Sequence, residues 1–129
     1  MFRKFLSGLL WICAGVLVGA LGTVANQISW SVSSSFSLPL GLAVAFLALT
    51  ALLIAARALG VSRFPALGVA LGTLGTILLF SRESAGGSVL VPNNLMGQLW
   101  FAGPFVIAAV VIAWPDLQRA RARSAPPTP

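Results

Sequence analysis

The sequence predicts an all-α, polytopic membrane protein with four transmembrane helices in an up-down bundle and both termini in the cytoplasm. Of its 129 residues, 58% are hydrophobic and only 8% are charged, which is far from the usage of soluble globular domains. The hydrophobic residues fall into four runs, and a bilayer needs about twenty such residues per helical crossing. The few cations gather in segments that would share one side of the membrane.

The four predicted spans are residues 5–25, 38–56, 64–80 and 95–114, within a transmembrane domain of residues 1–115. Two prolines suit this division, since Pro39 and Pro65 would stand in first turns, where proline costs no helical hydrogen bond. Ser37 is expected to cap the second helix. A cleaved secretory signal is the alternative for the first run, although its length and its glycines favour a retained helix.

The segments between and after the spans are predicted to lack regular structure. Residues 26–37 are rich in serine and read as a loop, and residues 81–94 form the longest connection. Pro104 lies inside the fourth span and predicts a bend there. The tail, residues 116–129, is basic and rich in proline, and we expect it to be disordered in the cytoplasm.

The charge distribution predicts the orientation in the cell membrane. With both termini cytoplasmic, Arg82 is the one cation outside, and the inner side holds the other seven: Arg3, Lys4, Arg57, Arg63, Arg119, Arg121 and Arg123. Such a bias over short loops is typical of cytoplasmic segments. Trp30 and Trp100 would then mark the outer interface and Trp114 the inner one.

Two similar glycine-rich strings occur in the first and third spans, GVLVGALGT at 15–23 and GVALGTLGT at 68–76. In a helix, their glycines fall within roughly 60° of one another. Helices in lipid approach closely where side chains are small. We therefore expect the bundle to pack through Gly15, Gly19, Gly22, Gly68, Gly72 and Gly75. The likeness suggests either an internal duplication or the chance similarity of apolar helices.

The residue inventory disfavours most catalytic chemistry. The sequence has no histidine, two acidic residues and one cysteine, Cys13, so conventional metal, haem, disulfide and histidine-based nucleophile systems are not expected. No ionisable residue other than Cys13 lies deep in a span, which argues against ion-coupled transport. The sequence predicts no cofactor and no enzyme.

Two sets of residues are candidate contact sites. A polar cluster on the outer side would consist of Asn26, Gln27, Asn93, Asn94, Gln98 and Trp100. It reads either as a shallow pocket for a lipid head group or a partner's loop, or as ordinary helix capping. On the inner side, Arg119, Arg121 and Arg123 are predicted to contact anionic lipid. Nucleic acid is not an expected partner, because the net charge of +6 reflects a scarcity of acids.

Three strings carry a resemblance to a known family: GSVLVPNN at 87–94, MGQLWFAGP at 96–104 and AWPDL at 113–117. They resemble a family of small four-helix integral membrane proteins of actinobacteria, known as a domain of unknown function. The string PLGLAVAFLALTALLIAARALG is similar to that family's second helix. The family's domain can occur attached to a deacetylase of mycothiol biosynthesis, which implies association with that pathway. No catalytic residues come with the resemblance.

These observations predict a non-catalytic accessory or structural subunit. It would form a larger membrane assembly or a homo-oligomer through its glycine-rich faces, with membrane lipids and another membrane protein as partners. The alternative is a small transporter without ion coupling, or a lipid-binding membrane protein, that uses the outer polar cluster.

Overall fold

The computed structural model describes residues 1–25, 28, 30–33, 36–60, 62–82, 95–115 and 117–127. The elements in chain order are α1 (Phe2–Ala25), β1 (Trp30–Ser33), β2 (Phe36–Leu38), α2 (Leu40–Leu59), α3 (Phe64–Phe80), α4 (Leu95–Ala113) and α5 (Leu117–Ser124). The predicted all-α class is confirmed, with one short β-hairpin added. Two helices, α1 and α2, are long and apolar enough to cross a membrane, whereas α3 and the apolar part of α4, Gly97–Ala113, are shorter.

The hairpin replaces part of the predicted loop and corrects the predicted cap. Strands β1 and β2 pair antiparallel, with Ser37 opposite Ser31. Their residues, WSVS and FSL, alternate apolar and polar side chains, which is the strand period. Because Ser37 belongs to the strand ladder, the prediction that it caps α2 was wrong. The N-cap residue is Pro39, and no side chain caps the helix.

The basic tail also differs from its prediction of disorder. Residues Leu117–Ser124 form the helix α5. Their sequence, LQRARARS, consists mainly of leucine, glutamine, arginine and alanine, which have high helix propensity. The helix propensity of these residues therefore accounts for a helix in a tail that was predicted to be disordered because of its prolines.

Helices α1 and α3 lie side by side and parallel. Gly68 at the start of α3 approaches Trp11, and Gly19 further along α1 approaches Thr73 and Thr76. Residue numbers therefore rise together along the contact. Because α2 intervenes in the chain, this parallel contact joins non-consecutive helices.

Helices α2 and α4 are also parallel to each other and run opposite to α1 and α3. The rings of Phe46 and Trp100 lie 5.7 Å apart, and further along both helices Arg57 Nη2 donates to the carbonyl of Trp114 at 2.7 Å. The start of α2 approaches Ala25 at the end of α1. The four long helices therefore alternate in direction.

This alternation gives the bundle two chemically different ends. The basic end consists of the starts of α1 and α3 and the ends of α2 and α4, and α5 follows it in the chain. It carries Arg3, Lys4, Arg57 and Arg63, and the opposite end carries the hairpin and Arg82.

Small residues line the contact between α1 and α3, and many large apolar residues of all four long helices face outward. The buried residues of α1 are Gly15, Gly19, Gly22 and Thr23, and the interior of α3 is similarly rich in glycine, alanine and threonine. Large apolar side chains are exposed on every long helix, including Leu17 at 62%, Leu47 at 70%, Leu71 at 67% and Val106 at 62%. Leu49, Leu53 and Ile77 are buried in the core, so the difference from a soluble bundle is that many large apolar side chains are exposed as well.

Candidate functional site

The most extensive contact between helices is the seam between α1 and α3. Both helices have glycine, glycine and threonine at spacings of four residues on the buried face: Gly15, Gly19 and Thr23 in α1, and Gly68, Gly72 and Thr76 in α3. Residues four apart lie on one face of a helix. The two strips therefore present backbone rather than side chains to the partner helix.

The glycines at this seam leave no room for a side chain. A Cβ atom at Gly15 would overlap the carbonyl of Val69, and one at Gly72 would overlap the carbonyl of Ile12. A Cβ atom at Gly19 would lie 2.9 Å from the carbonyl oxygen of Thr73. The obstructing atoms belong to the backbone, so they cannot move aside as a flexible side chain does. The seam is direct contact between two backbones.

Three buried threonines of α1 and α3 donate hydrogen bonds to backbone carbonyls, and one of these bonds crosses the seam. Thr73 Oγ1 donates across the interface to the carbonyl of Gly15 at 2.9 Å. Thr23 and Thr76 instead donate to the carbonyls of Gly19 and Gly72 in their own helices, each at 2.7 Å. Mid-helix threonines usually bond their own backbone, so the interhelical bond of Thr73 is the exception.

Two of the six predicted packing glycines behave differently from the expectation. Gly75 is exposed, and a Cβ atom there would meet nothing within 4 Å, so its prediction as a packing residue was wrong. The contact follows the four-residue ridge through Gly72 and Thr76, and Gly75 lies beside that ridge. Gly22 is buried, but it packs against the ring of Trp100 from α4 rather than against α3.

Trp100 of α4 lies in the interior of the bundle, where it contacts residues of α1, α2 and α3. Its side chain is 0% exposed, and its Nε1 donates to Thr23 Oγ1 at 3.0 Å. It belongs to an apolar cluster with Ile77 of α3 and with Phe46 from α2. The prediction of Trp100 at the outer interface was therefore wrong, because Gly22 opens a space in α1 that the indole fills.

The predicted outer polar cluster is not assembled by the described residues. Four of its members, Asn26, Gln27, Asn93 and Asn94, lie outside the described residues. Gln98 is exposed on α4. Trp100 is turned into the bundle and its N–H is bonded to Thr23, so it is withdrawn from that cluster.

At the basic end, Arg57 Nη2 donates a hydrogen bond to the carbonyl of Trp114. This bond satisfies a carbonyl just beyond the end of α4, where helices leave carbonyls without intrahelical partners. Arg119 lies in α5, and Arg121 and Arg123 are exposed there. Trp114 is 61% exposed.

Two further close contacts were not predicted from the sequence. A Cβ atom at Gly41 would overlap the carbonyl of Ala25, and one at Gly103 would overlap the ring of Phe46. Gly41 follows the proline at the start of α2, which is a signal for a tight chain reversal. Gly103 is three residues after Trp100 and therefore shares a helix face with it.

Among the described residues, no group of three or more histidine, cysteine, aspartate or glutamate side chains could hold a metal ion. Comparisons with protein-family models, with curated proteins and with solved structures found no match for this chain.

Proposed function

We propose that this chain is an integral protein of the cell membrane in which α1, α2, α3 and α4 each cross the bilayer. The observation that carries the proposal is the outward placement of large apolar side chains on all four helices, with glycine and threonine at the contact between α1 and α3. Lipid solvates the exposed leucines and valines, and small residues allow close backbone packing. In the most hydrophobic stretches of α1 and α2, only 17% and 28% of residues are buried.

The length of α3 sets a condition on this arrangement. Its 17 residues extend about 25 Å at 1.5 Å per residue, which is less than the roughly 30 Å of a typical hydrocarbon core. The bilayer is then thinned locally or α3 stands with little tilt.

The distribution of charge supports an orientation with the basic end in the cytoplasm. Seven of the eight Lys and Arg residues belong to segments at or following that end, and Arg82 lies at the other. Translocation disfavours Lys and Arg in short loops. Both termini are therefore cytoplasmic in this proposal.

Within the membrane, the chain acts as a structural or accessory subunit without catalytic chemistry. Supporting this role, the buried polar side chains of the described bundle are engaged in packing: all their buried N and O atoms have hydrogen-bond partners. The glycine strips of α1 and α3 are occupied by each other. A partner, either another membrane protein or a second copy, therefore binds an outward face of the bundle.

Two experiments test these steps separately. Alkaline carbonate washing of membranes should leave the full-length chain in the membrane pellet, and its release would contradict membrane integration. Purification in mild detergent with in situ crosslinking and native mass spectrometry should then recover a discrete complex of fixed stoichiometry. Recovery of an uncomplexed monomer alone would contradict the subunit role.

A further inference from the structure

Each long helix exposes a large apolar side chain at the basic end. Phe2 and Phe5 of α1 are 76% and 71% exposed, Leu59 of α2 and Phe64 of α3 are each 77% exposed, and Trp114 after α4 is 61% exposed. The helices alternate in direction, so these residues lie at one end of the bundle. They form a partial ring of aromatic and aliphatic side chains around it.

Cations lie next to this ring in the sequence of α1, α2 and α3, and further cations follow Trp114 in α5. We define the basic collar as six residues whose side chains the structure describes: Arg3, Lys4, Arg57, Arg63, Arg121 and Arg123. Five of them are exposed and Arg57 is partly buried. Arg119 of α5 adds a seventh charge to this region of the sequence, and Asp116, outside the described residues, is its one acid.

We propose that the basic collar lies at the level of the lipid head groups and binds anionic phospholipids of the cytoplasmic leaflet through their phosphates. This inference rests on the proposed membrane orientation. Tryptophan, here Trp114, favours the interface between hydrocarbon and head groups, and Lys and Arg residues near a span extend their charged groups toward the polar side. Clustered cations just beyond a span attract anionic lipid.

The apolar ring favours a lipid leaflet over a nucleic acid as the partner of the basic collar. A nucleic acid is recognised through its phosphates and base edges, which gives no role to exposed Phe2, Phe64 and Trp114 beside the cations. A lipid leaflet engages both, since acyl chains contact the ring and phosphates contact the collar. Arg57 belongs to the basic collar, and its guanidinium donates to the backbone carbonyl of Trp114, a residue of the apolar ring.

The test titrates phosphatidylglycerol or phosphatidylcholine into the detergent-purified full chain and counts retained lipids by native mass spectrometry. Wild type should retain phosphatidylglycerol preferentially. Changing Arg63, Arg121 and Arg123 together to glutamine should weaken that preference by about fivefold per arginine. Changing the same three to lysine should preserve most of it.

A matched single pair separates the collar from general charge. Arg63→Gln and Arg82→Gln each remove one exposed cation beside an end of α3. The first should weaken the lipid preference more, since Arg82 has no neighbouring cation at its end of the bundle. Equal effects, a wild-type preference for phosphatidylcholine, or a triple glutamine variant that binds like wild type would overturn the inference. Each of these outcomes leaves membrane retention after carbonate washing intact, so the proposed function is judged separately.

Discussion

Alanine substitutions at two glycines of α3 test the seam with one chemical change. Gly72→Ala adds a methyl group where α1 is closest, and Gly75→Ala adds the same group, less than one helical turn away, where nothing lies within 4 Å. Both changes remove a helical glycine, so both gain the same intrinsic helix propensity, about 0.5–1 kcal/mol. The difference between the variants therefore isolates the contact with α1.

The structure sets the size of the expected difference. A Cβ atom at Gly72 would lie 2.8 Å from the nitrogen of Val16 and would overlap the carbonyl of Ile12, whereas ordinary contacts begin near 3.4 Å. Accommodating the methyl group requires the two backbones to separate along the seam. Overpacking of this kind costs about 1–3 kcal/mol. Gly75→Ala should therefore raise the free energy of unfolding by about 0.5–1 kcal/mol, and Gly72→Ala should be about 1–3 kcal/mol less stable than Gly75→Ala.

The assay is reversible unfolding of the full chain in mixed micelles with increasing SDS, followed by far-ultraviolet circular dichroism and tryptophan fluorescence. Trp100 is one of four tryptophans and is fully buried, so the total tryptophan emission includes a contribution that changes when helix packing is lost. A Gly72→Ala variant as stable as Gly75→Ala would show that α1 and α3 do not meet through bare backbone, and would refute the seam.

The same unfolding assay checks three other side chains. Thr23→Val should lower the free energy of unfolding by about 1–2 kcal/mol, because it leaves the buried N–H of Trp100 without its acceptor; unchanged stability would contradict this. Thr73→Val should cost about 0.5–1.5 kcal/mol by removing the bond to the neighbouring helix. Thr50→Val is the control, since it removes only a bond within its own helix and should change stability less; an equal loss would contradict the special role of Thr73. Arg57→Met should cost no more than about 1 kcal/mol, and a larger loss would indicate contacts beyond its single carbonyl bond.

The periodicity of the glycines allowed the α1–α3 contact to be anticipated in part. Gly15, Gly19 and Gly72 lie at the contact because spacing fixes the face of a helix on which each residue lies. Spacing does not fix the exact line along which the neighbour crosses that face. Gly75 was misplaced for this reason. The prediction combined glycines that are three and four residues apart, whereas the residues of α3 that contact α1, Gly68, Gly72 and Thr76, are four apart.

The position of Trp100 depended on information that local sequence does not contain. A tryptophan near the end of an apolar run is normally expected at a membrane interface. Its burial requires the space at Gly22 and the acceptor at Thr23, 77 residues earlier in the chain. Such a pairing across the bundle becomes visible only when the helices are placed together. The hairpin differs, since the alternation in WSVS and FSL was a local signal.

The most direct test of the membrane-spanning bundle measures whether cysteines placed at the two ends of α3 react with a reagent outside the cell. Helix α3 is the shortest of the four long helices. In a Cys13→Ser background, the matched variants Arg63→Cys and Arg82→Cys are exposed to a membrane-impermeant maleimide. Intact cells should label Cys only in the Arg82→Cys variant, and permeabilised cells should label both. Labelling of both variants in intact cells, or of neither, would place the two ends of α3 on the same side and contradict the four-span arrangement.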